Sequence, residues 1–573
     1  MRSETAFQQK LRSLTLEHLG FVPREVQLAA TSLLGRRTIV EMETGEGKTL
    51  SVAVAAITMA RRGQRVFVAT ANDYLASRDA ADMAPIFNGF GLRAGALSSQ
   101  ADHETRRLVY ACDVAYGTIR EFGFDTLRDA LTARAASRPD RPMVPKFDAL
   151  IVDEADSVLI DEAMTPLVIS ETSQALTPSD VALYRWSAEH AKTLTPEMDF
   201  VSHPPTGRIA LTERGMIKTI ECRMRPEMSQ CRMPEIVHSL ERSLEVATRL
   251  FRDVHYLVKD DRVLLIDEYT GRLATAKKLS SGLHQAIEAK EGLPMTPAGH
   301  TVARMTIQEL VNRVPYLSGM TATAREDRAE LGKVYGLNVK RLPPHHPSKR
   351  IQLPPQLFMN RGEKELGIIA DVRNTLAVGR SVLIGTRTIE HSESLSSLFD
   401  SHQLAHMVLN ARQSSEEASI ISQAGQRGRV TVATNMAGRG TDIRITDQVR
   451  AAGGLHVIVS EPHAAARIDR QLAGRCGRQG DPGTVRHFFS PDEEILELGR
   501  GQTSDSPVGT RTRLDSRLAR AKLLWQTKRA QARIGRRHRE MRMQLAQAES
   551  QMASDLRELG LDPHLDRITE AGE

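Results

Sequence analysis

Cysteine is scarce in this chain of 573 residues, which contains four. Cys112, Cys222, Cys231 and Cys476 are scattered, and no two of them have the Cys-x-x-Cys spacing that is typical of zinc sites and redox motifs. The spacing favours free thiols in a reducing compartment, and no zinc is expected.

Long apolar runs are lacking as well. No stretch reaches the roughly 18 apolar residues that a membrane-spanning helix needs, and residues 1–10 lack the apolar segment of a signal peptide. Hydrophobic residues make up 40% and charged residues 26% of the chain, which argues against a largely disordered protein. These features predict a cytoplasmic protein, or one that only visits a membrane surface. Its length predicts about three to five domains.

The most informative segment is residues 42–49, Met-Glu-Thr-Gly-Glu-Gly-Lys-Thr. Gly45 and Gly47 allow the backbone to turn so that successive N–H groups point at phosphate oxygens. Lys48 can reach the outer phosphates, and the Thr49 hydroxyl can bind Mg²⁺. This form of phosphate-binding loop is typical of helicase-like motors.

Two further positions complete a nucleotide site in the first half of the chain. An apolar strand over residues 149–153 ends at Asp153, which we expect to hold the water shell of Mg²⁺. Glu154 is expected to orient and deprotonate the water that attacks the γ-phosphate. Gln27, eighteen residues before Gly45, is expected to contact adenine through its amide.

The second half carries basic and hydroxyl motifs at residues 433–443 and 471–481. Arg475 and Arg478 are expected to face the nucleotide from a second domain and to neutralise transition-state charge. Asp442 is expected to contact the ribose or to position these arginines. Such a site would close when ATP is bound and reopen after hydrolysis.

Strand and helix patterns alternate over residues 36–151 and again from about residue 380, which predicts two parallel sheets covered by helices. The intervening residues 171–300 predict an inserted α+β domain with a hairpin turn at Asp260 and Asp261. The small hydroxyl residues of Ser318–Ala324 are expected to link hydrolysis to domain motion.

Positive charge is concentrated near the end of the chain. Residues 511–542 contain twelve basic and two acidic residues, so the rest of the chain has a net charge of −4 although the total is +6. The segment has apolar residues at roughly helical spacing, namely Leu514, Leu518, Leu523, Trp525, Ala530 and Ile534. Three interpretations stay open: a scaffold helix that packs along both motor domains, a surface for anionic lipid, or a nucleic-acid surface.

Four long blocks identify a family resemblance, namely Thr70–Asp79, Tyr116–Asp129, Asp153–Ser170 and Gly282–Gly292. With the motifs above they resemble the SecA family, the ATPases that drive preproteins through the bacterial Sec channel. The resemblance covers about residues 24–494 and extends weakly into the helix after Leu514.

The resemblance implies an α/β fold with two tandem RecA-like domains of the P-loop, helicase superfamily 2 type, an inserted α+β domain and a C-terminal long helix. The implied bounds are 1–172 and 301–343 for the first nucleotide-binding domain, 173–300 for the preprotein cross-linking-like insertion, 344–500 for the second RecA-like domain and 501–573 for the scaffold-like segment.

The resemblance also implies the site and its partners. Gln27, Gly45, Glu46, Gly47, Lys48, Thr49 and Asp442 would contact ATP, with Mg²⁺ held by Thr49 and Asp153, partly through water. Lys48, Asp153, Glu154, Arg475 and Arg478 would be catalytic. The implied partners are unfolded preprotein and a SecYEG-type channel at the cytoplasmic face of the bacterial inner membrane, with anionic lipid at Arg511–Arg542, and a monomer or homodimer is expected.

Departures from the family pattern leave two alternative functions open. Few residues precede Pro23, and the chain leaves little room for a helical wing, a two-helix finger or a zinc tail. Met164 and Glu43 stand where the family usually has arginine. The alternatives are a specialised SecA-like ATPase for dedicated secretion or unfolded-protein handling without the main channel, and an RNA helicase, although nucleic acid is not the expected partner.

Overall fold

The computed structural model describes residues 2–135, 142–172, 176–202, 209–229, 231–266, 273–274, 279, 282–297, 299–409, 417–434, 442–498, 517–558, 562 and 564–565.

The first part of the chain alternates strands with helices. Its elements are α1 (Arg2–Leu19), α2 (Glu25–Leu34), β1 (Thr38–Glu41), α3 (Lys48–Ala60), β2 (Val66–Thr70), α4 (Asp73–Gly89), β3 (Ala94–Ala96), α5 (His103–Tyr110), β4 (Val114–Thr118), α6 (Ile119–Ala135), β5 (Ala149–Asp153) and β6 (Leu167–Thr172). Strands such as β1 and β2 are buried along their whole length, as expected for a sheet with helices on both faces.

The inserted region has antiparallel strands and its own helices. Its elements are α7 (Pro178–Ala191), β7 (Phe200–Ser202), β8 (Ile209–Leu211), α8 (Glu213–Glu221), α9 (Met233–Arg249), β9 (Tyr256–Lys259), β10 (Arg262–Ile266), β11 (Leu273–Ala274) and α10 (Leu283–Glu291). β9 and β10 form the predicted hairpin, and Asp260 and Asp261 take the left-handed backbone conformation at its turn, with φ of 51° and 54°. The insertion is therefore α+β, as predicted.

The chain then returns to the first sheet. The elements of this return are β12 (Gly299–Met305), α11 (Ile307–Asn312), β13 (Tyr316–Thr321), α12 (Arg328–Tyr335) and β14 (Asn338–Arg341). β6 and β12 pair with each other in antiparallel fashion, and they connect the insertion to the rest of the fold. In the described part of the chain the first sheet has seven parallel strands in the order β14-β1-β13-β5-β2-β4-β3.

A second parallel sheet forms the other half. Its elements are β15 (Lys349–Gln352), β16 (Gln356–Leu357), α13 (Arg361–Ala377), β17 (Val382–Thr386), α14 (Ile389–Ser401), β18 (Met407–Leu409), α15 (Glu417–Gln423), β19 (Val430–Thr434), α16 (Asp447–Ala451), β20 (Leu455–Val459), α17 (Ala466–Ala473), β21 (Pro482–Phe489), α18 (Glu494–Leu498) and α19 (Arg517–Glu558). The order among described residues is β15-β21-β20-β17-β19-β18, with β16 beside β21. Two parallel α/β sheets, an α+β insertion and a long terminal helix confirm the predicted fold class.

The long helix α19 packs through a narrower apolar face than the sequence pattern predicts. Leu523, Ala530 and Ile534 are buried against Ile495 and Leu496 of α18. Leu518 and Trp525 belong to the predicted set but are 83% and 55% exposed. Residues 523, 530 and 534 are seven and four apart and so share one helix face, whereas residues 518 and 525 point elsewhere. Leu514 and the start of the basic segment, residues 511–516, lie outside the described residues.

Among the helices of the described residues, none combines the length and the apolar character that crossing a membrane requires.

Candidate nucleotide site between the two sheets

The phosphate loop lies between β1 and α3. Gly45 and Gly47 have φ values of 91° and 85°, which a residue with a side chain rarely adopts. Gly47 precedes the first residue of α3, Lys48, so the loop ends at a helix N-terminus, where free N–H groups attract anions. Thr49 is half-buried in the first turn of the same helix.

Gln27 lies directly against this loop. Its Nε2 donates to the carbonyl of Glu46 at 3.0 Å, and its Oε1 accepts from the N–H of Arg24 at 2.8 Å. A Cβ added at Gly47 would lie 2.1 Å from Nε2. Both ends of the Gln27 amide thus already have partners within the chain, which hold the side chain against the phosphate loop.

The side chain of Glu46 points away from the loop and toward the linker between the sheets. Its Oε2 accepts from the N–H of His345 at 3.2 Å and lies 3.6 Å from Nη1 of Arg24. The Glu46 carboxylate is therefore engaged away from the loop, while its backbone N–H makes a long bond to the carbonyl of Glu43 at 3.4 Å.

The end of β5 brings two carboxylates beside Lys48. Nζ of Lys48 donates to Oε1 of Glu154 at 3.0 Å, and both side chains are almost fully buried. Glu154 has a φ of 53°, a left-handed conformation that costs about 1–3 kcal/mol for such a residue. Burial raises the pKa of Asp153, the charge of Glu154 raises it further, and Lys48 opposes both effects.

These residues fit a nucleotide with a divalent cation. Thr49 and Asp153 supply a hydroxyl and a carboxylate, which are the hard oxygen ligands that Mg²⁺ prefers. Burial and the nearby charge of Glu154 raise the pKa of Asp153, and a cation bound there would favour its ionised form. The two left-handed glycines and Lys48 supply the matching cradle for phosphates.

The second sheet contributes residues to the same loop. Gly45 is so close to Arg478 that a Cβ added there would lie 3.3 Å from Cβ of Arg478. Nε2 of Gln479 donates to the carbonyl of Gly45 at 3.1 Å. Arg478 is buried and forms an ion pair with Asp442, so Asp442 holds the arginine rather than standing alone. Arg475 is half-buried three residues earlier, in the turn after α17.

The predicted motif at residues 433–443 is only partly placed, since residues 435–441 lie outside the described residues. The start of the motif is the end of β19 in the second sheet. Near the other end of the motif, Asp442 forms the ion pair with Arg478.

A buried polar network joins the sheets next to the loop. Asp156 accepts hydrogen bonds from the hydroxyl of Thr323 and from Nε2 of Gln471, and that Nε2 lies 3.0 Å from the hydroxyl. Thr323 belongs to the first sheet's loop after β13, and Gln471 belongs to α17 of the second. The predicted Ser318–Ala324 loop therefore contacts the second sheet directly.

An ion pair beside this network was not predicted from the sequence. Arg467 of α17 donates from Nη1 to Oδ2 of Asp161 at 2.9 Å and also pairs with Asp327, with 3.3 Å between Nε and Oδ2. Arg467 is 6% exposed and Asp161 is 1% exposed. The available signal was spacing, because Arg467 lies four residues before Gln471 and so on the same helix face.

The π-helical turn Ser157–Asp161 begins directly after Asp156 and ends at Asp161, and both carboxylates lie at the boundary between the sheets. Such turns are rare and are often found at functional sites. One continuous segment therefore connects Asp153 and Glu154 with both contacts between the sheets.

Comparison with known families finds two family domains along the chain. The SecA DEAD-like domain matches residues 5–332, and the SecA P-loop domain matches residues 347–449 and 444–508. P-loop domains of this kind bind nucleotide together with a divalent metal ion.

Curated relatives agree with these matches. The chain is 39% identical to protein translocase subunit SecA 2 of Rhodopirellula baltica over 97% of this chain and 87% of the relative. It is also 39% identical to protein translocase subunit SecA of Campylobacter fetus, over 85% of this chain and 57% of that protein. The chain thus spans little more than half of the second relative.

Among solved structures, RNA-bound Dbp5 of S. cerevisiae is similar with a TM-score of 0.43 and 13% identity, covering 84% of this chain and 87% of that one. No functional conclusion follows from a likeness at this level. The two family matches and the curated relatives confirm the resemblance found in the sequence, and the chain belongs to the SecA family.

Proposed function

We propose that this chain is an ATP-driven motor that moves unfolded preprotein into or across the cytoplasmic membrane. The observation that carries the proposal is the phosphate loop held between two sheets, with Lys48 against Glu154 on one side and Arg478 against Gly45 on the other. The names of the curated relatives, protein translocase subunits SecA and SecA 2, support the direction of this proposal. The domain bounds given above are proposed on the same basis.

The residues of the first sheet have separate roles in binding and hydrolysis. The backbone N–H groups from Gly45 to Thr49 and the Lys48 ammonium bind the phosphates, and Thr49 and Asp153 hold the cation. When bound, ATP with Mg²⁺ supplies the phosphoryl group and the charge that the site stabilises. Glu154 takes the proton of the attacking water, and Lys48 positions that carboxylate.

The second sheet completes the site. Arg478, held by Asp442, and Arg475 stabilise charge that develops on the phosphoryl oxygens. Gln27 binds the base, while its present bonds to Arg24 and Glu46 hold it against the loop. Because these contacts come from both sheets, ATP and ADP differ in how strongly they hold the sheets together.

A large cavity provides a place for the polypeptide. Its volume is about 1400 Å³, and it lies between the insertion, the second sheet and α19. The insertion contributes apolar side chains, among them Phe251 and Val254, which are 51% and 37% exposed. Asp161, Asp327 and Arg467 line the same cavity, so the interdomain ion pair borders both the polypeptide space and the nucleotide network.

We propose a SecYEG-type channel as the membrane partner and the cytoplasmic face of the bacterial inner membrane as the place of action. The exposed cations of α19 extend this proposal to anionic lipid, since each basic residue near such a surface contributes about 1 kcal/mol. Monomer and homodimer are both compatible with the proposal.

The test replaces Lys48 with Ala and uses Lys333→Ala, an exposed lysine on α12, as the matched control. ATP hydrolysis should fall at least about 100-fold in Lys48→Ala and stay at the wild-type rate in the control. Wild-type turnover in Lys48→Ala would remove the assignment.

Three separate additions then identify the partner: unfolded preprotein, vesicles containing the Sec channel, and single-stranded RNA. Stimulation by preprotein, increased further by channel vesicles, is the expected result. Stimulation by preprotein alone would instead support a role without the main channel. Stimulation by RNA alone would assign an RNA helicase.

A further inference from the structure

The side of the cavity formed by α19 differs in charge from the other sides. Ten basic side chains line the cavity, and most of them are already engaged by carboxylates. The engaged cations include Lys364 with Glu493, Arg387 with Glu494 and Arg467 with Asp161. The charge of these pairs is largely cancelled before any polypeptide enters.

Three cations on α19 are the exception. Lys528, Arg536 and Arg537 are exposed, line the cavity and have no ion-pair or hydrogen-bond partner among the described residues. We name these three residues the cationic face. Two exposed carboxylates of the lining lie near Arg361: Asp492 accepts from its N–H at 3.0 Å, and Glu390 lies within its electrostatic reach. The lysine and arginine side chains of the lining that have no carboxylate partner among the described residues therefore all belong to α19.

The backbone of α19 also leaves room at this place. Gly535 lines the cavity between Ile534 and Arg536, and a Cβ added there would meet no atom within 4 Å. Glycine in the middle of a helix costs about 1 kcal/mol relative to alanine, and here no neighbouring atom explains its use. The glycine leaves space for an extended chain beside the cationic face.

The side formed by the insertion is apolar where the cationic face is charged. Phe251 and Val254 are exposed and line the same cavity, beside the half-buried Leu250 and the buried Ile266. Apolar contacts of this kind bind many sequences alike, because they are non-directional. The charged side must therefore supply any preference among unfolded chains.

We propose that the cavity selects acidic polypeptide segments through Lys528, Arg536 and Arg537. Client carboxylates pair with these cations, while neighbouring client side chains contact Phe251 and Val254. This inference rests on the proposed function, since it names the class of polypeptide that the motor binds. Nucleic acid is also a polyanion, and its charge matches the cationic face. The apolar side of the cavity, however, offers no partner for its sugars or phosphates.

The test uses the full chain and three unfolded peptides of equal length: one rich in Asp, one neutral and one rich in Lys. Binding is followed by fluorescence anisotropy at low salt and at physiological salt. The Asp-rich peptide should bind about tenfold more tightly than the Lys-rich peptide, and added salt should reduce this ratio.

A matched pair of variants locates the preference. Lys528→Glu should lower the ratio of affinities at least about threefold, as expected for reversing one exposed charge near the ligand. Lys522→Glu is the control, because Lys522 is equally exposed on the same helix and lies outside the cavity lining. The double variant Arg536→Glu/Arg537→Glu should abolish or invert the preference.

The outcomes separate this inference from the proposed function. Equal binding of all three peptides, with ATP hydrolysis still stimulated by neutral polypeptide, overturns the charge preference and leaves the motor intact. Equal effects of Lys522→Glu and Lys528→Glu also overturn the charge preference of the cavity, since the overall positive charge of the helix would then explain the binding of acidic peptides. Displacement of the Asp-rich peptide by oligouridine at lower concentration assigns the cavity to nucleic acid. Failure of every polypeptide to bind or stimulate contradicts the proposed function itself.

Discussion

The proposed nucleotide site and the proposed polypeptide cavity both border the Asp161–Arg467 ion pair, but they differ in how their polar groups are engaged. Around the phosphate loop nearly every polar group is already engaged: Lys48 by Glu154, Gln27 by the loop carbonyl and Arg478 by Asp442. Around the cavity, exposed apolar side chains face the unpaired cations Lys528, Arg536 and Arg537. A site for one fixed ligand is preorganised by its own contacts, whereas a site for many sequences keeps its groups accessible.

Removal of the arginine from the nucleotide site should have the largest effect. Arg478→Ala deletes the group that we propose to act on developing charge, so ATP hydrolysis should fall about 100-fold or more. Affinity for a fluorescent ATP analogue should change less than about threefold, because the first sheet holds the phosphates. Arg373→Ala, an exposed arginine on α13, is the control. A large loss of affinity with normal turnover would assign Arg478 to ground-state binding instead.

The boundary between the two sites should show the next largest effect. Arg467→Ala leaves the carboxylates of Asp161 and Asp327 buried without their cation. The free energy of unfolding should therefore fall by about 3–5 kcal/mol. Thermal unfolding of Arg467→Ala, Asp161→Ala and the double variant gives the coupling energy. We expect at least about 1 kcal/mol of coupling.

Additive effects of the Arg467 and Asp161 substitutions would show that the pair does not connect the sheets in solution. An undiminished stimulation of ATP hydrolysis by unfolded polypeptide in Arg467→Ala would show that the pair does not connect the two sites.

Glycine substitutions compare crowding in the nucleotide site with open space elsewhere. Gly45→Ala should destabilise the fold by about 1–3 kcal/mol, because φ is 91° and the new Cβ would press on Arg478. Gly63→Ala has the same left-handed strain, with φ of 81°, but no atom within 4 Å. The difference between the two losses, measured by thermal unfolding, therefore isolates the contact between the sheets. Equal losses would mean that this contact contributes nothing.

The smallest change in stability is expected for a substitution at the cavity, and this substitution should stabilise the fold. In Gly535→Ala the new Cβ meets no neighbouring atom, and alanine has a higher helix propensity than glycine. The free energy of unfolding should therefore rise by up to about 1 kcal/mol. A rise of the thermal midpoint checks this expectation. A lower midpoint would show that Gly535 serves the folded chain itself and does not provide space for a ligand.

Short motifs allowed much of the nucleotide site to be predicted. A phosphate loop requires glycine at positive φ and a lysine at a helix start, so the identity of residues 45–48 carries the geometry. The carboxylates after β5 were predictable for the same reason, because the ends of parallel strands share one edge of the sheet. The fold class followed from alternating strand and helix patterns.

Long-range partners were not predictable from local spacing. The pairing of Arg467 with Asp161 joins residues more than 300 positions apart; the spacing of Arg467 and Gln471 indicates a shared helix face but does not identify the distant partner. The internal engagement of Gln27 was missed because its partners are backbone groups, which have no sequence identity. On α19, apolar periodicity overestimated the buried face, since Leu518 and Trp525 remain exposed where no second element covers them.

The most direct test of the central claim is ATP hydrolysis by wild-type and Glu154→Gln chains, each with and without a permanently unfolded polypeptide. The wild-type chain should hydrolyse ATP, and polypeptide should increase its rate. Glu154→Gln should still bind ATP but lose at least about 100-fold in turnover under both conditions. Hydrolysis at the wild-type rate in Glu154→Gln would show that Glu154 does not activate the attacking water.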